Sequence, residues 1–263
     1  MLINSVVLVL REVLEASVLI SVLLAMTVSL RLSLRWLLLA LPLTVVAVVL
    51  FAFSLDSMTD ALDGAGQEVV SALLQVLVFV ALVCVVFVAT RAGRSASVMA
   101  QPMAIFMALA TLCALTRECS EILIYITGFA TSEEHRTAVF AGSAIGATIG
   151  LSVGVLLYAA LNSLPERRVI PVCHALLALI GAGMVMQSSM LLEQVDWLPS
   201  ARQLWDSNVL VNEQSLTGQL LYAVFGYEAT PSLLQVSLYL GSVALVVCAW
   251  WAGQVVGSTV DAA

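Results

Sequence analysis

Seven stretches of about 20 or more mostly apolar residues recur along the chain, each long enough to cross ~30 Å of hydrocarbon as an α-helix. They lie near residues 4–30, 34–55, 67–90, 99–129, 137–162, 170–192 and 232–255. In a lipid interior each backbone N–H and C=O must be bonded within its own segment, which a helix does and an isolated strand does not. Of the 263 residues 62% are hydrophobic and only 10% charged, against about 25% charged in soluble domains. The spans use nearly all the length, which excludes a separate soluble catalytic or nucleic-acid-binding domain. The expected fold is an all-α polytopic membrane protein of seven transmembrane helices, one membrane domain over residues 1–263.

All ten basic residues are arginine, and their placement sets an expected orientation. Arg31 and Arg35, Arg91 and Arg94, and Arg167 and Arg168 follow the first, third and fifth spans, whereas the intervening loops hold only Arg136 and Arg202. The positive-inside rule puts the N-terminus outside and the C-terminus in the cytoplasm. The N-terminus, MLINSVVLVL, lacks the basic region of a cleavable signal peptide and reads as the start of the first span. The opposite face gathers Asp56, Asp60, Asp63, Glu133, Glu134, Asp196, Asp206, Glu213 and Glu228. These serve either as solvated loops or as a funnel that concentrates cations. Cys84, Cys113, Cys119, Cys173 and Cys248 stand singly with no CxxC spacing, the pattern of buried, inert thiols rather than a disulfide framework or thiolate site.

The polar residues inside the spans carry more information. Arg11-Glu12-Val13-Leu14-Glu15 in the first span returns as Arg117-Glu118-Cys119-Ser120-Glu121 in the fourth, an R-E-x-x-E motif repeated after 106 residues. Three helices separate the copies, so the helices bearing them run in opposite directions, as in inverted 3+3 repeats with a site at the repeat interface. The expected division is 1–95 for the first repeat, 96–195 for the second, and 196–263 for an outer loop and seventh helix. The same offset pairs Glu68 with His174.

Six ionised side chains in two apolar helices cost about 2.5–3.5 kcal/mol each, roughly 15–20 kcal/mol together. A whole domain is stable by only about 5–15 kcal/mol. They must therefore face the bundle interior or water, with compensation. On a helix Glu12 and Glu15 project about 60° apart and Arg11 about 40° from Glu15, so each motif presents one polar face. Both motifs fall in the outer half of the membrane. Together the four carboxylates and two guanidinium groups carry a formal charge of −2. Glu12, Glu15, Glu118 and Glu121 then form a site for a hard cation such as ferric iron, Mn²⁺, Mg²⁺ or Ca²⁺, with Arg11 and Arg117 holding them. The alternative is that the arginines only neutralise their neighbours and lock the helices together. A membrane protease is disfavoured, because neither HExxH nor GxSxG occurs.

The paired motifs on the first and fourth spans resemble the oxidase-dependent iron transporter family, which includes the fungal high-affinity iron permeases and the bacterial ferrous iron permeases. Gly66-Gln67-Glu68 is similar to that family's GQE segment, and Phe225-Gly226-Tyr227 with Pro231-Ser232 and Tyr239 to its C-terminal stretch. The resemblance covers essentially the whole chain. It implies a non-enzymatic iron permease in the plasma membrane, the bacterial inner membrane in particular. Iron ions would be the transported substrate, with no permanently bound cofactor and no nucleic-acid partner. It also implies work alongside an external oxidase, peroxidase or iron-binding protein. Glu12, Glu15, Glu118 and Glu121 match the family's transport carboxylates, and Arg11 and Arg117 its motif arginines. Val13 and Cys119 replace the customary glycine, and Ser71 stands where a second acidic residue is expected. A carrier of manganese or lead, and a non-transporting scaffold, remain the competing functions.

Other residues carry secondary expectations. Glu68 and His174 are further candidate ligands, and Glu193 and Asp196 candidate carboxylates at the outer mouth. His135, beside Glu133 and Glu134, reads as solvated, and the methionines of the fourth and sixth spans as packing. Residues 215–226 are expected to form a short interfacial or re-entrant helix. Gly142, Gly146, Gly150 and Gly154 form a small-residue stripe for close helix contact in lipid, either within one bundle or between protomers of a homo-oligomer.

Overall fold

The computed structural model describes residues 1–92, 96–129, 133–199 and 202–260. The side chains of Asp56, Asp60, Asp63, Glu133, Glu134 and His135, and all of Arg94, lie outside the described residues.

The chain forms α1 (Leu2–Ser29), α2 (Arg35–Asp60), α3 (Gly66–Ala92), α4 (Ala96–Phe129), α5 (Glu133–Asn162), α6 (Glu166–Gln194), α7 (Leu216–Phe225) and α8 (Leu233–Val260), with a 3₁₀ turn at Ala61–Gly64. Among the described residues there is no strand, only an isolated bridge between Gln203 and Ser232. Six helices, α2 to α6 and α8, are long and apolar enough to cross a membrane. The first helix, whose N-terminal half carries Arg11, Glu12 and Glu15, is not one of those six.

Burial sorts the helices. In α3 and α6, 56% and 61% of the most apolar window is buried, against 17%, 22% and 17% in α2, α5 and α8. The first two are central, and the latter three present apolar side chains such as Leu38, Val155 and Trp251 outward, as lipid-facing helices do.

Helix α1 is held in the interior by α5. A Cβ on Gly146 would lie 2.5 Å from the Val6 carbonyl oxygen, and one on Gly154 2.6 Å from Ser17 Cβ. Only hydrogen fits there. The close approach lets the Ser17 hydroxyl donate to the Gly150 carbonyl at 3.0 Å and Ser21 to that of Gly154 at 2.8 Å. The glycine stripe thus packs within one chain.

Directions follow from paired positions. Ser5 bonds Tyr125, Glu15 meets Arg117 and Thr27 reaches Met107, so α1 and α4 are antiparallel. Ser188 donates to the Ala72 carbonyl, Gln75 to Gln187, and Phe79 lies against Gly181, so α3 and α6 are antiparallel too. As a result the exposed Arg31, Arg35, Arg167 and Arg168 and the half-buried Arg91 stand at one end of the bundle, and Glu68 and Glu193 at the other.

The apolar core fills the half nearer the arginines, where Leu19, Leu23 and Met26 of α1 meet Leu82 and Val85 of α3, Met107 of α4 and Leu177 of α6. Trp36 Nε1 donates to Thr27 Oγ1 at 3.1 Å, tying the start of α2 to this core. The loop after α6 folds back over the other end. There α7 is capped by the Ser215 hydroxyl, which accepts from Gly218 N at 3.1 Å, and closes on Gly226 in a left-handed conformation. The expected short helix at 215–226 is this element.

Candidate functional site

Because α1 and α4 are antiparallel and pack closely, the early turns of one face the late turns of the other, and both R-E-x-x-E motifs arrive at the same depth. Glu12 and Glu15 are each 3% exposed and Glu118 2%. At their centre lies one guanidinium. Arg117 Nη1 is 2.9 Å from both Glu118 carboxylate oxygens, 3.2 Å from Glu15 Oε2 and 3.6 Å from Glu12 Oε2, while Nη2 is 2.8 Å from Glu121 Oε1. All four motif carboxylates, from two helices, therefore converge on one point.

Arg11 occupies a different environment. Its Nε meets only Glu15 Oε1, at 3.4 Å, and its guanidinium carbon lies 3.8 Å from the centroid of the Tyr222 ring of α7. The cation–π contact faces a ring that is itself buried.

Two glutamines extend the network. Gln187 Nε2 donates to Glu15 Oε2 at 3.3 Å, and Gln75 Nε2 donates to Gln187 Oε1 at 2.6 Å. This relay joins α3 and α6 to the motif helices. Charge-assisted bonds of this kind are what four carboxylates need in a low-dielectric interior. The compensation is incomplete: among the described residues Glu12 Oε2 and Arg117 Nε have no hydrogen-bond partner.

The cluster borders a cavity of about 680 Å³ whose walls include Arg11, Glu12, Arg117, Glu121, Gln187 and Tyr222. A neighbouring cavity of about 450 Å³ is lined by Gln67, Glu68, Ser71, Glu121, Tyr125 and Gln194. Glu121 faces both. Glu68, at the head of α3, thus shares a cavity wall with Glu121, and among the described residues its Oε2 lacks a hydrogen-bond partner. Glu193 and Asp196 line neither cavity. His174 lies more than three helical turns from Gln187 along α6, about 20 Å at 1.5 Å per residue. It borders a separate cavity of about 550 Å³ with Leu30, Thr90 and Trp250, at the arginine-rich end. The apolar core lies between His174 and the carboxylates, so the two are not brought together.

Among the described residues no three His, Cys, Asp or Glu side chains are grouped so as to hold a metal ion. The motif carboxylates surround a guanidinium instead of a cation-sized gap. The cysteines are all free; Cys113 and Cys173 are buried as expected, but Cys248 is exposed on α8 because that helix is peripheral. Outside this core, burial and the neighbouring Glu213 carboxylate push the Glu228 carboxyl up to about 7 in the loop after α7.

Sequence reasoning did not single out Gln75, Gln187, Ser5 or Tyr125, and it placed Tyr222 within the expected short helix at 215–226. The glutamines had a signal, since each is a lone amide in an apolar span and such groups face partners rather than lipid. Tyr222 had none, because its role depends on how the loop between α6 and α8 folds back.

The model of the iron permease FTR1 family aligns with residues 2–260. No curated protein and no solved structure matches the chain.

Proposed function

The chain belongs to the iron permease family whose model it matches over residues 2–260, and we propose that it imports iron ions through the site formed by its two R-E-x-x-E motifs. The observation carrying this reading is the convergence of Glu12, Glu15, Glu118 and Glu121 on a single point beside an open cavity. Oxygen donors in that number suit a hard cation, and an excess of two carboxylates over guanidinium groups leaves the site anionic.

In this reading α1 is a seventh span beside the six apolar helices, the N-terminus lies outside, and the arginine-rich end faces the cytoplasm of a bacterial inner membrane. Iron then arrives through the cavities at Glu68, Glu121 and Glu12. The helix contacts support two inverted three-helix repeats: α1 packs on α5 as α4 packs on α2, and α1 on α6 as α4 on α3. Transport is a rearrangement of one repeat against the other that opens the apolar seal around Leu19, Leu82 and Leu177. No covalent chemistry is required. An external oxidase, peroxidase or iron-binding protein would deliver the ion to the outer cavity.

A packing lock is the second reading, favoured by the contact of every motif carboxylate with Arg117. The two separate in proteoliposomes loaded with labelled iron. Under the permease reading Glu12→Ala and Glu118→Ala insert and stay monodisperse but lose uptake. Undiminished uptake by either variant removes the motif carboxylates from the transport path.

A further inference from the structure

The sequence repeat makes Arg11 and Arg117 equivalents, yet the structure treats them differently. Arg117 is 6% exposed and touches all four motif carboxylates; Arg11 is 34% exposed, touches one, and is turned onto Tyr222. Two guanidinium groups at one point would repel, so the centre accepts one cation at a time. Arg117 holds it.

We propose that Arg117 is a resident counter-cation that incoming iron must displace, and that its return to the carboxylates expels the ion. The inference rests on the carboxylate site proposed above. Four features of the geometry carry it. The guanidinium stands where the donor oxygens of both helices converge. It is held by its two Nη groups, and its Nε has no hydrogen-bond partner. It lines the 680 Å³ cavity and so has space to move into. Glu12, whose contact with Arg117 is the longest of the four at 3.6 Å, lies on the same wall and is the carboxylate most readily given up to an arriving ion.

The exchange solves an electrostatic difficulty. Four bare carboxylates in a low-dielectric interior are strongly unfavourable, so a site that simply emptied after release would resist emptying. With Arg117 returning, the carboxylates keep a cation at every stage. The binding and release of iron become a competition between two positive charges for one set of oxygens.

The test compares wild type with Arg117→Gln, and Glu118→Gln with the double variant Arg117→Gln, Glu118→Gln, which restores the formal charge of the wild-type cluster. Equilibrium dialysis against labelled iron, ferrous under argon and ferric as citrate, reads affinity; proteoliposome uptake reads turnover. Arg117→Gln is expected to bind iron about tenfold tighter or more than wild type, and the double variant about tenfold tighter than Glu118→Gln, the scale of one close charge pair; Arg117→Gln is expected to transport it about tenfold more slowly. A merely structural arginine would not raise affinity when removed. Equal or weaker binding in either comparison, between proteins that unfold at the same temperature, overturns the counter-cation role. The carboxylate site survives that result if Glu12→Gln still lowers binding. If wild type binds no iron and Glu12→Gln transports normally, the site itself is wrong and the counter-cation falls with it.

Discussion

Gln75 of α3 donates from Nε2 to Gln187 Oε1 of α6 at 2.6 Å, and Gln187 in turn donates to Glu15. The central helix pair is thereby wired to the motif helices by two uncharged side chains, in a region where lipid offers no replacement partner.

Gln187→Leu breaks this relay in the middle. It leaves the Gln75 amide buried and removes a donor from Glu15, at a cost of about 1–3 kcal/mol. Removing both ends in Gln75→Leu, Gln187→Leu leaves fewer orphaned groups, so the double variant is expected to be less destabilised than the sum of the singles. Thermal unfolding in detergent across the double-mutant cycle measures the difference.

The α1–α5 contact tolerates no side chain at its glycines. Gly146→Leu drives a Cβ against the Val6 carbonyl and is expected to destabilise by about 1–3 kcal/mol or more, with loss of iron uptake because α1 carries Glu12 and Glu15. Gly241→Ala on α8, where a Cβ meets nothing within 4 Å, should instead be neutral or stabilising by about 0.5–1 kcal/mol. Paired melting curves decide it. Equal behaviour of the two variants would count against the packing described.

Tyr222 lines the 680 Å³ cavity together with Arg11, whose guanidinium it contacts. Tyr222→Phe keeps a ring face for the guanidinium and should retain uptake. Tyr222→Ala loses about 0.5–2 kcal/mol of cation–π attraction and should loosen α7, read as faster proteolysis between residues 207 and 226. Equal cleavage of the two variants would show that the ring does not hold the segment.

The loop between α7 and α8 should weaken as pH rises. Glu213 accepts a hydrogen bond from the Ala229 backbone N–H at 2.9 Å. Glu228 is raised from its ordinary 4.5 to about 7, first by burial and then by Glu213. Between those values the folded loop retains a proton that the unfolded chain has released, so folding is favoured at the acid end and the advantage is lost as pH passes 7. Melting temperatures of wild type should therefore fall from pH 5 to 8 more steeply than those of Glu228→Gln. Parallel curves would remove Glu228 as the source.

The apolar spans and the position of the acidic motifs could be read along the chain because both depend on local length and composition. Hydrophobic runs of membrane thickness define helices without reference to their neighbours, and the cost of burying Arg11, Glu12, Glu15, Arg117, Glu118 and Glu121 forces them towards one another. The Gly142 to Gly154 stripe announced a close helix contact in the same way. Its partner could not be read, since spacing says that a backbone can approach but not which one does. His174 and Glu68 show the same division: the 106-residue offset that brings the two motifs together puts these two at opposite ends of the bundle, because α3 and α6 run antiparallel.

What the chain order determined, then, was the set of helices, their alternating arginines and the presence of two matching acid clusters, all properties of single segments. The tertiary structure alone decided that α1 lies against α5, that two glutamines complete the network, and that Arg117 rather than Arg11 sits among the carboxylates. Two like charges cannot share one centre, and only the packing of both helices together selects which of them is excluded.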